Sequence, residues 1–297
     1  MLTLENIPRE DMKMKKMLAM LMAAAMLLAL CACGNAAPAA TESAPAESAA
    51  EAPADEAAAE AAADSDLAYI QGKGSLVVGI TDFAPMDYQE NGEWIGFDAD
   101  MAKAFADSIG VKAEFVEINW DNKELELDGK SIDCVWNGMT LTDAVKAAMS
   151  CPAAYCNNAQ VVVVKAEAAE QYQSAESIQS LSFAVEAGSA GQEAADAAGL
   201  NYIECDTQAK ALMEVAAGTS DACIIDLLMA GAMIGEGTSY PDLAYTVSLT
   251  SEEYGVGFRK GSDLVDAYTA FYKAAWDAGT VMQIAETYGV QESIIGA

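Results

Sequence analysis

The chain has 297 residues, 15 Lys and Arg against 46 Asp and Glu, a formal charge of −31 and no histidine. That charge argues against nucleic acid and anionic surfaces as partners and mildly favours cationic ligands. The lack of histidine removes Ser-His-Asp and Cys-His nucleophilic machinery and histidine metal sites, so no cofactor or metal is expected.

Taken in chain order, the first element is a targeting segment. Lys13, Lys15 and Lys16 precede the apolar run "MLAMLMAAAMLLAL", Met17 to Leu30. A basic start and an apolar stretch too short to span a membrane comfortably describe an export signal. The acidic "MLTLENIPRED" before it is foreign to such signals, which points to a start at Met12 or Met14. The run ends in "LCACGN", and Cys33 has the small neighbour of a lipoprotein processing site. Two acyl chains on Cys33 would anchor the protein to the outer face of the cell membrane; a plain secretory signal is the other reading. Residues 1–33 are thus the signal. Residues 34–66 hold only small, polar and acidic residues, with nothing to bury, and form a disordered acidic tether. Alanine in these two segments inflates the hydrophobic fraction of 53%.

From Leu67 onward strand and helix signals alternate. "SLVVGI" is an apolar run of strand length, and "FDADMAKAFADSIG" carries Met101, Phe105 and Ile109 at helical spacing, acids at its start and Gly110 at its stop. "KAEFVEI" predicts a strand and "NKELELDG" a short helix. "SIDCVWNGMTLTDAVKAAM" predicts a strand with Ile132, Cys134 and Trp136 on one face, a polar turn, then a helix. "AQVVVVK", "SFAVEAGS", "NYIEC" and "DACIID" predict strands, separated after the second by helices that include one capped by Thr207. "YGVGFRK", Tyr254 to Lys260, predicts a last strand before two terminal helices. Such alternation implies α/β architecture with mainly parallel sheets, which bind ligands beyond the carboxyl ends of their strands. Five cysteines (Cys134, Cys151, Cys156, Cys205, Cys223) lie in this part and form no disulfide framework; buried thiols are expected, with Cys151–Cys156 the one pair to test.

G-F-D-x-D-x-A in "GFDADMA", then "GKSIDCVWNGMTLTD", then "NAQVVVV" resemble the extracellular solute-binding proteins of polar amino-acid ABC transporters (family 3 type), many of them lipoproteins. The likeness runs from about Ser75 to Gly289. It implies a two-lobed periplasmic-binding-protein fold of type II, each lobe a mainly parallel sheet flanked by helices, with two hinge crossings. Lobe 1 would be 67–158 and 255–297, and lobe 2 159–254. Closure about the ligand would be a hinge motion.

The resemblance also implies a site for a free α-amino acid. Phe83 in "TDFAP" and Trp120 in "INWDN" match the aromatics that cover the ligand; core packing is the competing reading. The Phe83 turn is one residue shorter than usual, so Asp82 is carried only as a neighbouring candidate. Gly138 and Thr140 match the groups that meet the ligand's amino and carboxylate ends, with Asn137 as helper or turn-former; an ordinary turn is the alternative. Ser189 and Ala190 sit where a helix begins, and N–H groups there favour a carboxylate. Glu186 matches a side-chain contact in some relatives and is otherwise a surface acid. Asp226 matches the acid for the ligand ammonium and is otherwise a helix N-cap. Relatives place an arginine for the α-carboxylate where this chain has Val145, and Lys146 lies about 100° further round the helix. Such a charge-assisted bond is worth ~1.5–3 kcal/mol, roughly ten- to a hundredfold in affinity. Either backbone donors and Lys146 hold a carboxylate here, or the ligand has no standard α-carboxylate.

The leading function is a monomeric substrate-binding lipoprotein that delivers a polar amino acid or related small solute to an ABC permease, without catalysis. An extracellular sensing domain and a dehydratase-like enzyme using Glu186 and Asp226 are the alternatives.

Overall fold

The structure, a computed structural model, describes residues 65–297. The expected signal at 1–33 with Cys33, Met12 and Met14, and residues 34–64 of the expected tether, lie outside the described residues. Ser65 and Asp66, placed in that tether by composition, belong to the fold. Ser65 caps α1 (Asp66–Lys73) by accepting a hydrogen bond from the Ala68 amide, and buried Asp66 lies 3.0 Å from the Arg259 guanidinium. A distant partner fixes these two residues, which their local composition could not show.

The first half continues through β1 (Ser75–Ile80), the hairpin β2 (Tyr88–Glu90) and β3 (Glu93–Ile95), α2 (Phe97–Ser108), β4 (Lys112–Glu117) and a short 3₁₀ turn (Trp120–Asn122). After it come α3 (Lys123–Asp128), β5 (Cys134–Thr140), α4 (Asp143–Ala148) and β6 (Cys156–Asn158). The second half holds β7 (Gln160–Lys165), β8 (Ser182–Glu186), α5 (Ala190–Ala198), β9 (Asn201–Cys205), α6 (Gln208–Ala217), β10 (Ala222–Asp226), α7 (Leu227–Met233) and β11 (Leu243–Ser248). β12 (Glu252–Phe258), α8 (Leu264–Asp277) and α9 (Thr280–Tyr288) close the chain.

Two five-stranded sheets result, in the orders β4-β1-β5-β12-β6 and β11-β7-β10-β8-β9. The chain passes between them at β6 to β7 and again at β11 to β12. The expected mainly parallel sheets are mixed: β1 runs parallel to β4 and β5, and β8 to β9 and β10, but β12 and β7 run antiparallel to their neighbours. A strand that arrives from the other sheet enters without a helical crossover, so the rule linking such crossovers to parallel pairing does not bind it. For the same reason the last strand starts at Glu252 in the first sheet, two residues before the predicted Tyr254.

Central strands β1, β5, β7 and β10 are almost continuously buried, as strands covered on both faces must be. Cys134 and Trp136 face the main core with Phe105, Phe258 and Tyr268, whereas Ile132 packs on the opposite side with Val135 and Met139. Ile132 precedes the strand, so the alternation expected of it begins only at Cys134. Thr207 caps α6, accepting from the Lys210 amide. Cys134, Cys156 and Cys223 are buried thiols, and Cys151 and Cys205 are half-buried.

Candidate functional site

β1, β5, β8 and β10 all end at one gap. Thr81 and Phe83, Gly138 and Thr140, Glu186, and Asp226, at or just beyond those ends, line a cavity of about 260 Å³. Trp120, Asn137, Val145, Ser189 and Ala190 line it too. Asp82 does not. It is exposed and lines a separate groove with Glu117 and Lys210, because successive side chains of an extended segment point opposite ways and Phe83 takes the inward direction.

Phe83 and Trp120 are both buried at the cavity wall. Gly138 is required beside Phe83. Its φ is +54°, and a Cβ there would lie 2.3 Å from Phe83 Cε1, a contact no side chain can make. Its amide is engaged, donating to Asp98 Oδ2 at 2.6 Å. Asn137 is likewise spent: its Oδ1 accepts from the Thr81 amide and hydroxyl, and its Nδ2 donates to Thr81 O and Asp87 Oδ2. Both residues shape the floor of the cavity. Beneath them Asp98 is pushed up to about 7 by burial, against a hydrogen bond from Tyr155.

Asp226 is buried, and its side chain makes no cap to α7 although it stands at that position. Its Oδ1 accepts from Asn158, from Gln160 at 2.9 Å and from the Tyr254 hydroxyl at 2.7 Å. Gln208 grips it from both ends, accepting from the Asp226 amide at 2.9 Å and donating to Oδ2. Burial and then the charge of Glu252 push Asp226 up to about 7. Glu252 Oε1 accepts from the Thr140 hydroxyl at 2.8 Å, Asn158 at 2.8 Å and Gln160 at 2.7 Å. The strands that cross between the sheets are thereby tied to Asp226 and to Thr140.

Glu186 is 2% exposed, and its Oε1 has no hydrogen-bond partner. Burial, then the Asp226 charge, raise it to about 8. Ser189 caps α5, accepting from the Gln192 amide at 3.1 Å, and the amides of Ala190 and Gly191 begin the helix.

Three contributors escape the sequence reading: Lys123, Gln208 and Glu252. Lys123 is buried, and its Nζ donates to Gly188 O at 2.8 Å and Trp120 O at 3.3 Å. It also stands 5.0 Å above the Trp120 ring, and burial lowers its pKa. Its spacing of four from buried Leu127 places both on one face of α3, a signal present in the sequence. Gln208 and Glu252 carry none, since both read as polar residues at the start of an element. Val145 lines the cavity and packs into an apolar cluster with Trp120 and Leu127. Lys146 faces other grooves.

Two α/β lobes joined by crossing strands, with one cavity enclosed between their strand ends, define a two-lobed solute-binding protein of the type II periplasmic kind. The chain belongs to the bacterial extracellular solute-binding proteins, family 3, which it matches over residues 76–291. It is 26% identical over 280 residues to the arginine-binding extracellular protein ArtP of Bacillus subtilis (strain 168), covering 91% of this chain and 96% of that one. Its fold is similar to a mutant of ArgBP from T. maritima, with TM-score 0.70 and 28% identity, covering 75% of this chain and 98% of the other. It is also similar to AncCDT-1, an ancestral amino acid-binding protein and precursor of cyclohexadienyl dehydratase, with TM-score 0.69 and 29% identity, covering 75% and 99%. The protein binds a solute for an amino-acid ABC importer. Among the described residues no helix is long and apolar enough to cross a membrane.

Proposed function

We propose that the cavity takes a small cationic solute, a basic amino acid or a related amine, and passes it unaltered to the permease. The observation that carries this is Glu186, a buried carboxyl with an unpartnered oxygen, set beside Asp226 at the end of a neighbouring strand. A buried carboxyl oxygen without a partner is costly, and a cation relieves that cost. Phe83 and Trp120 offer ring surface to the aliphatic stem, and Thr140, Ser189 and Ala190 complete the wall. Gly138 and Asn137 act by positioning. Arginine binding by ArtP is consistent with this reading. The lobes divide at the crossing strands, near residues 158–160 and 248–252, and these crossings are the hinge. Cys33 carries the lipid anchor and the protein acts as a monomer.

Thermal unfolding with each proteinogenic amino acid tests the proposal. L-Arginine or another cationic amino acid is expected to raise Tm through preferential binding to the folded state, and Asp226→Ala to abolish the rise. A rise that survives in Asp226→Ala, or one confined to anionic amino acids, contradicts it. Recovery of the solute unchanged after prolonged incubation separates binding from dehydratase-like turnover.

A further inference from the structure

The charge around the cavity bears on which cationic solute it takes, an inference that rests on the reading above. Five carboxylic acids line the cavity (Asp121, Glu124, Glu186, Glu193 and Asp226) against one ammonium, Lys123. Among the residues lining the cavity, Lys123 is the one cation that a solute carboxylate could meet. Arg259, the one arginine among the described residues, binds Asp66 and Asp133 away from the cavity. Val145 stands where the resemblance leads one to expect an arginine, and Lys146 lines an adjoining groove rather than the cavity itself. Lys123 gives two protons to main-chain carbonyls and feels the charges of Glu124, Glu186, Asp121 and Glu193. The amides of Ala190 and Gly191 are uncharged donors, and Glu193 on the same first helical turn opposes an anion beside them.

For a cation the site is prepared. Glu186 and Asp226 end the adjacent parallel strands β8 and β10, so one ammonium or guanidinium can bridge them. Glu186 Oε1 is unpartnered, and Asp226 Oδ2 accepts from Gln208 alone, leaving it a lone pair. We propose that the solute is a cationic aliphatic amine without a carboxylate, a diamine or guanidino amine of the kind a basic amino acid becomes on losing that group, held jointly by Glu186 and Asp226.

Calorimetric titration of the purified protein with L-arginine, agmatine and putrescine decides the matter, since agmatine is arginine without its carboxylate. The tighter of the two amines is expected to bind at least as well as arginine. Arginine binding more than about threefold tighter than both amines overturns the inference while leaving the cationic-solute reading intact. Binding of none of the three, with no cationic amino acid raising Tm either, overturns both. Val145→Arg is expected to shift preference toward arginine by about tenfold or more, the size of one charge-assisted bond; an unshifted preference counts against the inference. Should that variant not fold, Glu186→Gln serves. It keeps the shape of the side chain and is expected to weaken amine binding by about tenfold or more. Unchanged amine affinity in Glu186→Gln also overturns the inference.

Discussion

Glu186, Asp226 and Asp98 share one condition: each is a carboxyl enclosed by the fold and raised to about 8, 7 and 7 respectively, chiefly by burial. Unfolded, all three titrate near 4, roughly the ordinary carboxyl value. A carboxyl raised on folding contributes stability that is complete below its unfolded pKa and lost as pH rises through its folded one. The ligand-free protein is therefore expected to melt about 5 °C or more higher at pH 5 than at pH 8. A flat or rising Tm over that window contradicts the assignment. A cation on Glu186 displaces its proton, so calorimetry at pH 7 in buffers of different ionisation enthalpy is expected to show proton release in the wild type and less in Glu186→Gln. At Gly138, substitution by Ala places a methyl against the Phe83 ring and forces a left-handed residue to carry a Cβ, at ~1–3 kcal/mol. Gly138→Ala is expected to lower both Tm and solute affinity; an unaltered affinity would mean that Phe83 does not shape the solute's place.

At the level of elements, the crossing strands are held by a polar cluster rather than by apolar packing. Glu252 accepts from Thr140, Asn158 and Gln160 at once, so Glu252→Ala removes the acceptor of the Thr140 hydroxyl and leaves the amides of Asn158 and Gln160 only Asp226 to donate to, a loss of ~1–3 kcal/mol for a group left buried without a partner. Its Tm is expected to fall well below that of Glu253→Ala, an exposed neighbour, and equal melting of the two would remove Glu252 from the cluster. How much of this was legible follows from where each residue gets its instructions. β1, α2 and β10 are local: apolar runs, acids at a helix start and a glycine stop sufficed. The β2–β3 hairpin has a local signal in Asn91-Gly92, both at positive φ, a pairing suited to a two-residue turn. Phe83, Trp120 and Asp226 line the cavity, each from just beyond or at the end of a locally legible element. The spent amide of Gly138, the outward Asp82, and the roles of Lys123, Gln208 and Glu252 depend on partners 18 to 112 residues away or on the turn taken by a single residue. Local pattern does not encode such pairings.

For the whole molecule, the two rims meet at Gly188. Lys123 reaches across to its carbonyl, and a Cβ there would lie 2.8 Å from Asp121 Cα. Gly188→Ala therefore obstructs approach of the lobes while leaving each core intact. Solution scattering is expected to show a larger radius of gyration for Gly188→Ala than for the wild type in the presence of saturating solute, and matching radii would mean that the rims do not limit closure. The most direct measurement is a crystal structure grown with L-arginine and, separately, with agmatine. The expected result is a solute nitrogen within about 3.2 Å of Glu186 Oε1, bridging to Asp226, with its stem between Phe83 and Trp120. An empty cavity under saturating solute, or a solute seated away from Glu186 and Asp226, would contradict it.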